Sequence, residues 1–166
     1  GSETWEIEDE KLFKEPGDVF VIEGSENIKD AIASGRKYVV LSQKLLGLTE
    51  NRPELTKAIE DMVSEVGFDG CVIDEIDSLS NPNTVAAQTA VRLVDSVRHN
   101  YRAKTGKSYF EAPVVGLTAT PIKGKLSDFN VPMAILYPDE YAVSAKDAKK
   151  SKKTFSDTHL NRPDLA

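Results

Sequence analysis

Two carboxylate residues directly follow a short apolar run, and a third comes two positions later. Val72 and Ile73 lead into Asp74 and Glu75, with Asp77 beyond them. At the carboxyl end of a strand, Asp74 could hold Mg²⁺, directly or through water, while Glu75 polarises the water that attacks a nucleotide γ-phosphate. A strand that merely ends in acidic residues has the same pattern, so both interpretations stay open on this motif alone.

A second motif places two hydroxyl side chains one residue apart. Thr118 and Thr120 flank Ala119 at the end of an apolar run, and Pro121 follows them. Hydroxyl groups on a turn that proline fixes can hydrogen-bond neighbouring carboxylates and shift with nucleotide state. Threonine and proline are also common at plain strand exits, which is the alternative interpretation of this segment.

Both motifs lie in a chain where apolar strands alternate with amphipathic helices. Each predicted strand is apolar on both faces, which is typical of a mostly parallel sheet with helices on both sides. Functional sites in such sheets gather at the carboxyl ends of the strands. The predicted strands lie at residues 19–22, 38–41, within 68–74, at 114–117 and at 133–136. The predicted helices are one closed by Gly35, one from Pro53 to Gly67, and one that opens at Asn81 and is followed by a polar loop over 100–112.

Composition restricts the classes of protein that fit. The chain has 166 residues and a net charge of −6, so tight nucleic-acid binding by the chain alone is disfavoured. Cys71 is the single cysteine, which excludes an internal disulfide, and we expect it to be a core side chain of an intracellular protein. His99 and His159 lack zinc-ligand spacing. No apolar run reaches the ~20 residues of a membrane helix, and the acidic first residues do not resemble a signal peptide.

Three segments of the chain differ in composition. Residues 1–17 are an acidic N-terminal extension, residues 18–141 hold the strand–helix alternation, and residues 142–166 form a polar tail. We expect this tail to be a solvated helix or a disordered end. Because basic side chains cluster in this tail, the alternative interpretation is a patch that contacts phosphate groups. The cluster consists of Lys146, Lys149, Lys150, Lys152 and Lys153.

Three sequence segments together resemble the superfamily-two helicase-like ATPases, and within them most closely the Swi/Snf-type DNA translocases. They are V-I-D-E-I-D over 72–77, N-P-N-T-V-A-A-Q over 81–88 and G-L-T-A-T-P-I over 116–122. Residues 39–46 and 126–141 are similar to flanking segments of that family. The resemblance implies part of a three-layer α/β/α RecA-like lobe with a mostly parallel sheet of at least five strands. It also implies a complete protein that uses ATP and Mg²⁺ to move on duplex DNA.

The same resemblance implies a role for each matching residue. Asp74 takes the magnesium role, through water, and Glu75 activates the attacking water. Ser42 would meet the nucleic-acid backbone. The residues that couple hydrolysis to movement would be Asp77, Thr118 and Thr120. An intracellular protein of this kind is cytoplasmic, or nuclear in a eukaryote.

The sequence also departs from the family pattern. A phosphate-binding loop G-x-x-x-x-G-K-[ST] is absent from residues 1–70, and T-G-K-S at 105–108 only imitates its end, because Tyr101 occupies the first glycine position. Gly1-Ser2 is typical of a remnant of tag removal. We therefore expect the sequence to begin after that loop and to end after the first lobe. Further departures are Gln43, Asp77 and Gly124.

A lobe without its phosphate-binding loop should behave differently from the complete motor. We expect this chain alone to hydrolyse ATP negligibly and to bind no nucleotide tightly. A missing central strand would also leave apolar surface uncovered, which predicts a homodimer.

Two other classes of protein remain as alternatives. An AAA+ ATPase fragment would account for I-D-E-I-D-S-L over 73–79, although the sensor strand of that family usually presents Asn, whereas this sequence has T-A-T-P over 118–121. A catalytically inactive lobe that serves as an interaction module would account for the missing phosphate-binding loop. Such a module would bind its partner without dependence on nucleotide.

Overall fold

The computed structural model describes residues 17–120 and 124–160, which fall into two compact units with their boundary between Gly67 and Phe68. Each unit contains one pair of parallel strands, so the mixed α/β class with parallel pairing is confirmed. Within the described residues the strands form two separate pairs, and not the single sheet of at least five strands that we expected.

The first unit is built on strands β1 and β2, which run parallel with Val19 opposite Tyr38 and Ile22 opposite Leu41. The connection between them contains helix α1, which ends at Gly35 with φ 65°. This left-handed conformation is one that glycine adopts at little cost, and it ends the helix as predicted. The elements are β1 (Val19–Ile22), α1 (Ile28–Ser34), β2 (Tyr38–Leu41), α2 (Gln43–Gly47) and α3 (Pro53–Val66).

Helix α3 shows why the pattern of this unit could be read from sequence. It begins at Pro53, whose missing N–H is not needed in the first turn, and it ends before Gly67 at φ 73°. Its buried side chains recur at steps of three and four, so that one face packs against α1. These buried residues are Leu55, Ile59, Met62 and Val63.

The second unit is built on strands β3 and β4, which are also parallel, with Cys71 opposite Val114 and Ile73 opposite Gly116. Helix α5 packs against β4 and against the short 3₁₀ turn at Ile76–Leu79 that follows β3. The elements are β3 (Cys71–Ile73), α4 (Val85–Thr105), β4 (Val114–Gly116), α5 (Asn130–Leu136) and α6 (Phe155–Leu160). Further 3₁₀ turns lie at Ser25–Asn27, Leu48–Asn51, Tyr109–Glu111 and Leu126–Phe129.

Two predicted segments of the second unit were wrong. Residues 133–136 belong to helix α5 and not to a fifth strand, because a short apolar run fits a buried helix as well as a buried strand. Helix α4 continues to Thr105, where we expected a polar loop from residue 100. Its end is set by Gly106, which has φ 70° and donates its N–H to the Arg102 carbonyl over 2.9 Å.

A buried arginine connects three elements of the second unit. Arg98 on α4 is 2% exposed, and its Nη2 donates to the carbonyls of Ile135 and Leu136 over 3.0 and 3.1 Å. Its Nη1 donates to the Phe110 carbonyl over 3.4 Å, and its guanidinium lies 5.7 Å from the ring centroid of Tyr109. Because helix α5 leaves its last carbonyls without helical partners, Arg98 caps that helix from inside the core.

One face of the β3–β4 pair is apolar and open. Val72 is 63% exposed, Val115 46% and Leu117 49%. The strands are therefore apolar on both faces, as the sequence indicates, and the described residues of the second unit leave this face uncovered. The homodimer that such a surface predicts stays a prediction.

Candidate nucleotide site

The two sequence motifs meet because β3 and β4 are parallel neighbours. Both strands point their carboxyl ends at the same edge, with Ile73 opposite Gly116. The chain segments that leave this edge are joined by backbone bonds, in which Leu117 N donates to the Ile73 carbonyl over 2.9 Å and Ile76 N donates to the Leu117 carbonyl over 3.0 Å. The acidic turn after β3 is thus fastened to the exit of β4.

The acidic turn contains a strained residue at Glu75. This residue has φ 49° and ψ 48°, the only positive φ outside glycine in the described part of the chain. A side chain in this left-handed conformation costs roughly 1 kcal/mol, and such strain is found where function requires a particular geometry. The Asp74 carboxylate supports the turn by accepting the Glu75 N–H over 3.0 Å. The 3₁₀ turn follows, and its residues Ile76 and Leu79 are buried. Asp74 and Glu75, which precede it, are exposed.

A side-chain hydrogen bond links the two motifs directly. Thr118 Oγ1 donates to Asp77 Oδ1 over 2.8 Å, across 41 residues of sequence. The same hydroxyl oxygen accepts the Thr120 N–H over 3.1 Å. One hydroxyl therefore joins the carboxylate of the first motif to the backbone of the second, and its bond to a carboxylate is of the kind expected from the sequence.

The two motifs line one open cavity of about 400 Å³. This volume lies within the range of small-molecule sites in proteins. The oxygen-bearing side chains stand on the acidic turn and on the exit of β4, and apolar atoms complete the wall. The lining residues are Asp74, Glu75, Asp77, Leu117, Thr118, Ala119 and Thr120.

The donor groups at this cavity fit magnesium in its hydrated form. They are carboxylates and hydroxyls, the hard oxygen donors that Mg²⁺ prefers. Within residues 17–120 and 124–160 there is no cluster of three or more metal-binding side chains. Magnesium in nucleotide sites keeps several waters and uses one or two carboxylates together with the substrate phosphates. Asp74 and Glu75 supply that number of exposed carboxylates on one turn.

Gly116 helps to form the site, although it was not predicted from the sequence to do so. A Cβ atom added to it would lie 2.8 Å from Ile76 Cδ1 and 3.4 Å from Leu136 Cδ1. The glycine therefore lets Ile76 pack directly on the end of β4, which sets the position of the acidic turn. The sequence signal that could have identified it is a glycine at the last position of an apolar strand. Close packing against another group is one of the few reasons for glycine at such a position.

Ser42 belongs to the first unit, whereas the two motifs belong to the second. It is the N-cap of α2 and accepts the Lys44 N–H over 3.2 Å. This capping bond gives Ser42 a structural role of its own. The nucleic-acid contact assigned to it stays a prediction. Pro121, expected to fix the turn after Thr120, lies outside the described residues.

Two other candidates have structural roles. The T-G-K-S segment forms a helix end, since Thr105 caps the Tyr101 carbonyl over 2.8 Å and Ser108 begins the next 3₁₀ turn. This agrees with its interpretation as an imitation of the phosphate-binding loop. Cys71 is half-buried in β3, and desolvation raises the pKa of its thiol to about 11. A thiol that is protonated at neutral pH is a poor nucleophile, although Cys71 is half-buried and does not lie in the buried core, where we expected it.

Comparisons with known proteins add no relative. No protein-family model, curated protein or solved structure matches this chain. Among the described helices, none combines the length and the apolar character needed to cross a membrane.

Proposed function

We propose that the second unit carries the acidic half of a magnesium–nucleotide site in an ATP-driven translocase that acts on duplex DNA. The observation that supports this most directly is the 2.8 Å hydrogen bond between Thr118 and Asp77. It joins the exit of β4 to a turn on which Asp74 and Glu75 are exposed. If this segment only ended a strand, it would need neither the strained backbone at Glu75 nor two carboxylates that line an open cavity.

Each residue has a distinct chemical task in this proposal. Asp74 would hold a hydrated Mg²⁺, whose charge would offset that of the β- and γ-phosphates. Glu75 accepts a proton from a water molecule whose oxygen attacks the γ-phosphorus, and the bond from phosphorus to the bridging oxygen breaks to release ADP. Glu75 is exposed, so water can reach its carboxylate.

The threonine exit of β4 is the proposed coupling element. The Thr118 hydroxyl donates its hydrogen to the Asp77 carboxylate, and its oxygen accepts the Thr120 N–H. Any shift of residues 118–120 therefore alters the position of the acidic turn. A nucleic-acid strand that moves this segment would therefore change the geometry around Glu75. The phosphate-binding loop and the second lobe belong, in this proposal, to the complete protein.

Iron-directed cleavage tests the site on this chain. Fe²⁺ replaces Mg²⁺, and hydroxyl radicals generated with ascorbate and peroxide cut the backbone close to the bound ion. With ATP in large excess, so that the weak nucleotide binding expected of this chain still completes the coordination, we expect cuts near residues 74–77 and 118–120, suppressed by excess Mg²⁺. Asp74→Asn should remove both cuts, whereas Asp30→Asn, an exposed aspartate on α1, should leave them unchanged.

The outcome also separates the alternatives. Cuts confined to other segments, or cuts at both motifs that persist in the Asp74→Asn variant, would overturn the metal site and favour an inactive interaction module. Cuts at both motifs that respond to ATP support the hydrolysis site. Whether duplex DNA is the partner, as opposed to the substrates of an AAA+ ATPase, is then decided by turnover measurements.

A further inference from the structure

The lysine-rich segment expected to be a solvated helix or a disordered end forms an ordered turn. Lys149 N donates to the Lys152 carbonyl over 2.8 Å, and Lys152 N donates back to the Lys149 carbonyl over 3.1 Å. This reciprocal pair closes a tight hairpin at Lys150 and Ser151. At its base, Ala142 N donates to the Lys153 carbonyl over 2.9 Å. We call residues 144–153 the lysine turn.

The lysine turn stands on a packed base. Ala142 before it is 1% exposed, and Thr154 after it is 2% exposed. The rings of Tyr141 and Phe155 meet edge to face with centroids 5.2 Å apart, and the Ser156 N–H donates to Asn130 Oδ1 over 2.8 Å. Because both ends of the turn are fixed to helices α5 and α6, its side chains project from a defined place on the surface.

One lysine of the turn stabilises its backbone, and the other four are exposed cations. Lys152 is half-buried and donates from Nζ to the Pro138 carbonyl over 3.0 Å, so it holds the turn in place. The other four are exposed and form no ion pair with any described residue. Asp147, the one acidic residue of the turn, accepts the Ser144 hydroxyl over 2.6 Å. The exposed cations are Lys146, Lys149, Lys150 and Lys153.

The charge of the turn contrasts with that of the chain around it. Five lysines and one aspartate give residues 144–153 a charge of +4, and since the whole chain carries −6, the remainder carries −10. Four like charges held close together repel one another, which is unfavourable unless counterions or an anionic partner compensate them. The net negative charge of the remainder would, on average, disfavour binding of a polyanion outside this turn.

We infer that the lysine turn binds the phosphate backbone of nucleic acid. Ammonium groups on flexible stems bind phosphates as point charges and carry no sequence information. A polyanion with regularly spaced charges can engage several of these lysines at once and release its counterions. The inference rests on the proposed function only for the nature of the partner, because the turn itself involves no nucleotide chemistry.

The test is duplex binding measured by fluorescence anisotropy over a series of salt concentrations, without nucleotide or Mg²⁺. The probe is a fluorescein-labelled DNA duplex of mixed sequence. The test variant is Lys149→Gln/Lys150→Gln/Lys153→Gln. We expect its slope of log affinity against log salt to be shallower by about 2–3, since each lost phosphate contact removes about one unit.

A matched control makes the same change of net charge elsewhere. Lys29→Gln/Lys37→Gln/Lys107→Gln alters three lysines that are also exposed. This variant should keep the slope of the unmodified chain. Replacing the turn lysines by arginine, as Lys149→Arg/Lys150→Arg/Lys153→Arg, should restore binding, because the cationic charge is retained. Circular dichroism should be unchanged in all three variants.

Three outcomes would overturn the inference. They are absence of duplex binding at low salt, an equal loss of slope in the control variant, and equally tight binding of labelled poly-glutamate of the same charge. The last would assign the turn to acidic proteins. None of these outcomes changes the iron-directed cleavage at Asp74, so failure of this inference is distinguishable from failure of the proposed function.

Discussion

Removing the hydroxyl of Thr118 should loosen the connection between the two motifs. The Thr118–Asp77 bond has a charged acceptor, and hydrogen bonds of that kind contribute ~1.5–3 kcal/mol. Both side chains are half-buried, so solvent competes for them, and we expect the lower end of that range or less. A coupling energy of about 1 kcal/mol between Thr118→Val and Asp77→Ala is therefore predicted from the double-mutant cycle.

Native-state hydrogen exchange is the suitable assay. The amides of Ile76 and Leu117 bond across the junction, so their exchange reports local opening of this edge. A coupling of about 1 kcal/mol corresponds to a change of about fivefold in the exchange rate. Thr118→Ser keeps the hydroxyl and should retain much of the protection.

An exposed bond of the same chemistry provides the control. Ser144 donates to Asp147 over 2.6 Å at a site open to solvent, and Ser144→Ala with Asp147→Ala should leave the exchange of Ile76 and Leu117 unchanged. A coupling energy near zero would show that the Thr118–Asp77 hydrogen bond does not stabilise this edge. It would mean that the backbone bonds alone hold the motifs together.

Three further predictions concern residues that hold the site in place. Gly116→Ala should destabilise the second unit by ~1–3 kcal/mol in urea unfolding, because its Cβ would lie 2.8 Å from Ile76, whereas Gly47→Ala meets no atom within 4 Å and should be close to neutral. Arg98→Met should destabilise by roughly 3 kcal/mol, since the carbonyls it binds lose their partner, and an unchanged unfolding midpoint would contradict its capping role. The pKa of Cys71 is raised from 9.0 to about 11, so alkylation by iodoacetamide at pH 8 should be about a hundredfold slower than in urea and should accelerate as pH rises towards 11. Equal rates in the folded and unfolded chain would contradict the last of these.

Elements of this chain with a local signal could be predicted. Glycine at positions 35 and 67 marks the ends of α1 and α3, and Pro53 marks a beginning, because each residue type fits one backbone conformation. The meeting of the two motifs was also predictable, since parallel strands place their carboxyl ends together. These inferences need only residue type and spacing.

Other features depend on contacts that spacing does not encode. The run at 133–136 is apolar whether it forms a strand or a buried helix, and packing of α5 on β4 decides in favour of the helix. The last turn of α4, residues 100–105, projects polar side chains and so gives no amphipathic signal. The backbone bonds that order the lysine turn, such as Lys149 to Lys152, involve main-chain atoms common to all residues.

The strained backbone at Glu75 was also not predicted from the sequence. Glutamate rarely adopts a left-handed conformation, so its residue type predicts the opposite of what the structure contains. Hydrogen bonds flank this conformation on either side, since the Glu75 N–H donates to the Asp74 carboxylate and the Ile76 N–H donates to the Leu117 carbonyl. Local preference and tertiary structure therefore conflict at one position, and that position carries the proposed catalytic carboxylate.

ATP turnover by the natural protein that contains this sequence, measured with and without duplex DNA, decides whether the second unit carries part of a hydrolysis site. The proposed function predicts hydrolysis that duplex DNA stimulates, and a loss of at least about a hundredfold on Glu75→Gln, since that carboxylate takes the proton of the attacking water. Glu65→Gln, an exposed glutamate of α3, should retain full turnover. Hydrolysis that survives Glu75→Gln, or a protein that is inert with every duplex and with ATP alone, would contradict the claim.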